Sequence, residues 1–143
     1  MRFSETVGRQ VVSATTAATV GKIDELVIDP RVRSVVGMTL KKTDHGDTLR
    51  WSDVDAFGVD AVIVSGAEKL TETPPDLVGL CGKDHRALGK RLLDTNGDEL
   101  GRVDDVEFDP RSGDVTALVL ADGRVPGTRL VGIGSYAVVV QHD

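Results

Sequence analysis

The sequence is poor in aromatic residues, with three Phe, one Trp and one Tyr among 143 positions. A core made by this chain must therefore consist mainly of Val, Leu, Ile and Ala side chains. Abundant Val and the 16 Gly residues favour short strands joined by tight turns over long helices. The composition thus predicts a β-rich globular protein.

Cysteine and long apolar runs are also scarce. Cys81 is the single cysteine, so the chain cannot form an internal disulfide, which is typical of proteins from reducing compartments. No run approaches the ~18 apolar residues that a membrane-spanning helix needs. The first residues, MRFSE, lack the apolar stretch of a signal peptide. We therefore expect a cytoplasmic protein that does not insert into membranes.

Positive charge is in deficit, because 17 Lys and Arg face 23 Asp and Glu and leave a net charge of −6. An acidic surface repels phosphate backbones, so nucleic acid is not an expected partner. One local stretch is basic, and we interpret it as solvated surface rather than as a binding patch. Its residues are Lys83, His85, Arg86, Lys90 and Arg91.

An internal repeat dominates the sequence. Residues 21–30 (GKIDELVIDP) and 101–110 (GRVDDVEFDP) share Gly, Asp and the closing Asp-Pro pair, and most other positions are similar. Three further pairs of segments match in the same order at a spacing of 76 to 81 residues: 8–12 with 89–93, 35–40 with 115–120, and 57–64 with 133–140. The sequence therefore predicts a duplication, with repeat 1 at 1–66, a polar linker at 67–85 and repeat 2 at 86–143.

Each repeat alternates short apolar segments with turn residues. In repeat 2, Asn96-Gly97 indicates a two-residue hairpin turn, and a change of side-chain parity within 103–108 indicates a bulge near Asp104. In the linker, residues 76–80 either form one helical turn or pack as an apolar clip. Short antiparallel strands leave unpaired backbone N–H and C=O groups at the sheet edges unless the sheet closes into a barrel. The predicted fold is therefore all-β: two tandem small β-barrels related by internal duplication.

The repeated pattern resembles the PRC-barrel family. Its elements are a Gly before a short apolar strand, then G-K/R-I/V-D-x-L/V-x-I/F-D-P, a strand from Val to Leu, and a closing I/F-G-x-x-A-V-V-V. The resemblance covers most of the chain outside the linker. It implies a β-barrel that acts as an adaptor by binding other proteins and assemblies. The family shares no catalytic residues, so the resemblance implies no catalytic, cofactor or metal site.

Several aspartates recur at equivalent places in the two repeats. Together they either bind a divalent cation between the barrels or serve local roles, in Asx-turns at the Asp-Pro pairs and on the solvent face. We favour the local roles, because a hard cation needs several converging oxygens. The aspartates are Asp24, Asp29, Asp104, Asp105 and Asp109.

Other candidate motifs fail on spacing or context. Residues 94–98 begin like an EF-hand loop, but Glu99 stands where that loop needs Gly, so we predict a hairpin turn. Residues 132–137 match a degenerate dinucleotide fingerprint but lead into a predicted strand instead of a helix. His45, His85 and His142 show no metal-ligand spacing, and the Cys81/His85 pair lacks an orienting third group.

Trp51 lies in the longer loop of repeat 1, where it is either a lid over that barrel or an exposed contact residue. The sequence thus predicts a non-enzymatic adaptor with Trp51 as its candidate interaction residue and an unidentified protein as its partner. Assembly into a homo-oligomer stays open. The alternatives are a ribosome- or RNA-processing-associated factor, and a regulatory domain that senses a ligand or cation in the cleft between barrels.

Overall fold

The computed structural model describes residues 1–44 and 46–143, and the described residues are mainly β-strand. The prediction of an all-β fold is therefore confirmed. The N-terminal half, residues 1–66, contains β1 Gln10–Ser13, β2 Thr19–Asp29, β3 Ser34–Lys41, β4 Thr48–Arg50, β5 Val54–Phe57 and β6 Ala61–Val64. The C-terminal half, residues 86–143, contains β7 Arg91–Asp94, β8 Glu99–Arg102, β9 Asp105–Phe108, β10 Val115–Leu120, β11 Gly123–Pro126, β12 Leu130–Ile133 and β13 Ala137–Val140.

Helical structure is confined to short elements. The helix α1 spans Pro75–Val78, which confirms the helical turn predicted within the linker. Single 3-10 turns lie at Phe3–Glu5, Trp51–Asp53, Ala67–Lys69, Lys83–His85 and Gly127–Arg129. Among the described residues, no helix has the length and apolar character required to cross a membrane.

The strands of the two halves are arranged in corresponding orders. In the N-terminal half the order is β4-β3-β2-β1-β6-β5, and in the C-terminal half it is β11-β10-β9 in one sheet and β12-β13-β7-β8 in another. In each half the first and last strands pair in parallel, β1 with β6 and β7 with β13. The other neighbouring strands are antiparallel.

The predicted bulge near Asp104 is a complete break between β8 and β9. The amide of Val103 donates to the carbonyl of Lys90 at 2.9 Å, whereas the amide of Asp104 donates to the carbonyl of Val119 at 2.8 Å. Two successive amides thus bond to different sheets. Of the apolar segment 103–108, only Asp105–Phe108 forms strand β9, because the chain changes sheets at Asp104.

The hairpin between β7 and β8 differs from the two-residue turn predicted at Asn96-Gly97. The Asp94 amide donates to the Asp98 carbonyl at 3.0 Å, which leaves three residues in the loop. Gly97 occupies the left-handed region at φ +87°, as a three-residue loop with a bulge requires. The Asp94 carboxylate also accepts the amides of Asn96 and Asp98, which favours the longer loop.

Hydrogen bonds among the described residues do not close either half into a complete barrel. The terminal strands of the first sheet, β4 and β5, do not pair with each other. The 3-10 turn Trp51–Asp53 carries the chain directly from one terminal strand to the other. The two terminal strands are therefore joined by this turn and not by a ladder of hydrogen bonds.

A single apolar core joins the two halves. Phe108 of β9 lies at its centre and packs edge-on against Phe3, Phe57 and Trp51, at ring-centroid distances of 5.5, 5.4 and 6.3 Å. Most other members of this core are aliphatic, as the composition predicts. The connecting segment 67–85 adds the buried side chains of Leu70 and Leu77 to the molecule. The boundaries of the repeats themselves stay a prediction.

Candidate interaction surface at the seam between the halves

The two halves meet through corresponding positions of the matched segments. The Val35 amide donates to the Gly113 carbonyl at 2.8 Å, and the Val115 amide donates to the Arg33 carbonyl at 2.9 Å. Between these two bonds, Ser34 and Asp114 form an isolated antiparallel bridge. Reciprocal contacts of this kind are typical of an interface with two-fold symmetry. The residues around this bridge are called the seam below.

The chain start also crosses from one half to the other. The Phe108 amide donates to the Met1 carbonyl at 2.8 Å, and Arg2 forms an antiparallel bridge with Glu107. The Ser4 amide donates to the Asp105 carboxylate at 3.1 Å, and the Ser4 hydroxyl forms a second, short bond to it. The first five residues therefore pack on β9 of the opposite half.

Trp51 lies beside the seam, partly exposed and partly packed. Its ring stacks on Phe57 at 5.5 Å with an interplanar angle of 26°. A Cβ at Gly113 would lie 2.9 Å from Trp51 Cε2 and 3.0 Å from the Val35 carbonyl oxygen, and Gly113 has φ +83°. Only glycine combines this backbone conformation with so close an approach. Trp51 is therefore partly packed and partly exposed, and its role as a contact residue stays a prediction.

A groove of about 340 Å³ opens next to Trp51. It joins β5, a terminal strand of the N-terminal sheet, to the turn between β9 and β10. Among the residues that the structure describes, the indole N–H of Trp51 has no acceptor. The groove, called the Trp51 groove below, is lined by Trp51, Val54, Asp55, Ala56, Phe57, Pro110 and Arg111. It offers an apolar platform, one unused donor and charges of both signs.

Comparison with known families identifies the second half. The family model of the PRC-barrel domain matches residues 83–143. The C-terminal half is a PRC-barrel domain. The match begins within the connecting segment and includes β7 to β13. The PRC-barrel domain thus supplies Pro110 and Arg111 to the Trp51 groove, and Gly113 to the seam. No curated protein is similar enough to the chain to register as a match.

The repeated aspartates serve local structure. Asp29 Oδ1 accepts the Arg31 amide at 2.9 Å, and in the PRC-barrel domain Asp109 Oδ1 accepts the Arg111 amide at 2.8 Å. These bonds confirm the predicted Asx-turns. Hydrogen bonds from the Arg31 side chain also lower the pKa of Asp29. Among residues 1–44 and 46–143, no three His, Cys, Asp or Glu side chains come together as a metal would require.

Each of the other three recurring aspartates has its own environment. Asp24 forms an ion pair with Lys41 at 3.2 Å, and Asp104 of the PRC-barrel domain lies exposed. Asp105 accepts the bonds from Ser4 already described. The role of Asp105 in anchoring the chain start was missed, because nothing in the local sequence indicates that residue 4 lies next to residue 105.

The other motifs have structural explanations. The residues 94–98 form the hairpin already described, and His142 Nδ1 contacts Asp94 Oδ2 at 3.1 Å. The hydrogen bond with His142 lowers the pKa of Asp94. Residues 132–137 join β12 to β13 of the PRC-barrel domain, so a strand follows them as predicted. Burial raises the pKa of the Cys81 thiol, which keeps it protonated and poorly nucleophilic. His45 lies outside the described residues.

The residues of the basic stretch form separate contacts with different partners. Arg86 pairs with Glu25 at 2.6 Å, and Arg91 pairs with Glu99 at 3.4 Å while it stacks over Tyr136 at 4.5 Å. Lys90 Nζ donates to the carbonyl of Lys83 at 2.9 Å. These residues do not present one continuous basic face.

Proposed function

We propose that the chain is a non-enzymatic, cytoplasmic adaptor whose Trp51 groove binds a partner protein. The observation that carries this proposal is a partly exposed tryptophan, with an unused indole N–H, held at the junction of both halves. Tryptophan is enriched among the residues that dominate binding energy at protein interfaces. Trp51 needs no rearrangement of its own to bind, because Phe57, Phe108 and Gly113 already fix its ring.

We further propose that the N-terminal half is a second PRC-type barrel and that one ancestral unit was duplicated. The strand orders of the two halves support this, since β4-β3-β2-β1-β6-β5 corresponds to β11-β10-β9 followed by β8-β7-β13-β12. The reciprocal bonds of Val35 and Val115 across the seam support it as well. In this proposal the strand broken at Asp104 is the counterpart of the continuous β2.

The edge position of β5 suggests the form of the partner. A terminal strand has backbone groups that can pair with an added strand, and many domains bind extended segments in this way. A segment paired with β5 would place an apolar side chain against Trp51 and a polar group near its N–H. The proposed partner therefore offers an extended segment with one large apolar residue.

Affinity capture with the full chain tests this function. Trp51→Ala removes the platform, and Ala56→Arg places a long side chain across the groove from an exposed position on β5. We expect both variants to lose at least tenfold in affinity for a partner retained by the parent chain. Tyr136→Ala is the matched control, because Tyr136 is an aromatic residue that is 66% exposed and lies outside the groove.

The outcomes separate binding from folding. Circular dichroism establishes whether each variant is folded, and Ala56→Arg removes no core contact. A folded Ala56→Arg variant that binds the partner as tightly as the parent chain would contradict the assignment of the groove. Loss of binding in Tyr136→Ala but not in Ala56→Arg would move the interaction surface from the groove to the surface around Tyr136.

A further inference from the structure

A second cavity of about 280 Å³ lies in the cleft between the N-terminal half and the segment that leads into the PRC-barrel domain. Its floor is apolar and consists of Phe3, Leu26, Ile28 and Ala87, each at most 7% exposed. Such a volume is at the small end of ligand pockets and suits a molecule the size of a single amino acid. The cavity is separate from the Trp51 groove in all its lining residues.

Exposed apolar residues flank this cavity. Val7 is 57% exposed and Leu88 is 37% exposed, and both line the cavity wall. The two residues precede β1 and β7 at corresponding positions of the repeat. An occupant with an apolar side chain would remove both from water, which is favourable because burial of apolar surface drives association.

Charged groups of both signs line the same cavity. Arg86 Nε donates to Glu25 Oε2 at 2.6 Å, and Asp24 lies beside Glu25 on β2. Within the described part of the chain, the two terminal nitrogens of Arg86 and the ring of His85 have no hydrogen-bond partner. Arg86 therefore has the fork of donors that a carboxylate accepts. Glu25 and Asp24 supply acceptors for a cation, although Asp24 also pairs with Lys41 at 3.2 Å.

We propose that this cavity binds a small apolar zwitterion, of the class of free α-amino acids with aliphatic or aromatic side chains. The carboxylate pairs with the terminal nitrogens of Arg86, and the ammonium group lies against Glu25 and Asp24. The side chain occupies the floor between Leu26 and Ile28. A ligand with a single charge would contact only one side of the Arg86–Glu25 ion pair, whereas a zwitterion can contact both.

Such a ligand would connect the two parts of the molecule. Three of the four floor residues and both acidic residues belong to the N-terminal half, whereas Arg86, Leu88 and the fourth floor residue, Ala87, belong to the C-terminal half. Binding would thus stabilise the packed arrangement of the halves by an amount that rises with the logarithm of the ligand concentration once that concentration exceeds Kd. The site does not depend on the Trp51 groove, so it adds a ligand-sensing property to the proposed adaptor.

Calorimetric titration and thermal unfolding of the full chain test this inference with three probes of similar shape and with phenylalanine as a second amino acid. Leucine carries both charges, 4-methylpentanoate lacks the ammonium group, and 3-methylbutylamine lacks the carboxylate. We expect leucine to bind and to raise Tm with increasing concentration, and each analogue to bind at least tenfold more weakly. Absence of binding by both leucine and phenylalanine would overturn the proposal, as would equal binding by leucine and the amine.

A pair of arginine variants assigns the carboxylate contact. Arg86→Gln should weaken leucine binding at least tenfold. Arg124→Gln is the matched control, because Arg124 pairs with Glu107 at 2.8 Å and the two pairs have similar exposures: 57% and 18% there, 53% and 16% for Arg86 and Glu25. Unchanged leucine binding by a folded Arg86→Gln variant, or equal loss in both variants, would overturn the assigned role of Arg86.

Discussion

Replacing Phe108 with Ala should destabilise the entire molecule rather than the PRC-barrel domain alone. Phe108 is 1% exposed, and its three aromatic neighbours all belong to the N-terminal half. A buried Phe→Ala change costs about 3–5 kcal/mol, and each aromatic contact contributes about 0.5–1.5 kcal/mol beyond its buried area. We therefore expect a loss near the upper end, about 4–5 kcal/mol in the free energy of unfolding.

Urea unfolding followed by two probes measures this effect. NMR signals of the β6 valine methyl groups report on the N-terminal half, and those of the β13 valine methyl groups report on the PRC-barrel domain. Because the halves share one core, both probes should change in a single transition, in the parent chain and in Phe108→Ala alike. Leu118→Ala is the control, since Leu118 is equally buried but has an aliphatic side chain without ring contacts.

A double-mutant cycle isolates the contact between the halves. Phe57→Leu and Phe108→Leu keep the core apolar but remove the ring pair, whose centroids lie 5.4 Å apart. The coupling energy should be about 1 kcal/mol. Two separate transitions in the parent chain, or a coupling energy of zero, would refute the reasoning that the aromatic cluster joins the halves.

Three further changes test local features. Ala17→Gly should stabilise the chain by about 0.5–1 kcal/mol in urea unfolding, because Ala17 lies at φ +57° in an exposed turn where glycine is unstrained; no gain would show that the turn is not strained. Gly113→Ala should lower the free energy of unfolding by at least about 2 kcal/mol in the same assay, since the new Cβ combines a positive φ with the Trp51 contact. Gly97→Ala is the control, because a Cβ there has open space. An equal loss of stability in the two variants would contradict the prediction. His142→Ala should raise the pKa of Asp94 in a carboxyl NMR titration. Because folding lowers the pKa of Asp94, its contact with His142 stabilises the fold above the ordinary Asp pKa. The difference in stability between the parent chain and His142→Ala should therefore vanish as pH falls through the folded pKa. An unchanged Asp94 pKa in His142→Ala would contradict the contact.

The features predicted correctly from the sequence are those that depend on neighbouring residues. The Asx-turns at Asp29 and Asp109 form between positions two residues apart, so the Asp-Pro pattern is sufficient to predict them. The break at Asp104 follows from a local change in side-chain parity. The hairpin length was wrong, because the Asn-Gly pair suits both two- and three-residue loops and the Asp94 carboxylate selects the longer one.

The features that the sequence did not reveal depend on residues far apart in the chain. The close packing of Trp51 on Gly113 joins residues from different halves, and no local pattern indicates it. The repeat does contain one signal, since Gly113 replaces Arg33 at the corresponding position. At this position only the C-terminal half has a residue without a side chain, and Trp51 packs into the space beside it.

Amide hydrogen exchange at Val35 and Val115 tests the central claim that the two halves form one body along the seam. Each amide bonds to a carbonyl of the opposite half, at 2.8 and 2.9 Å. We predict that both amides exchange only through global unfolding, with the same free energy of exchange and the same dependence on denaturant. Rapid exchange of either amide at low denaturant, while the core amides of both halves stay protected, would show that the halves separate and would contradict the account.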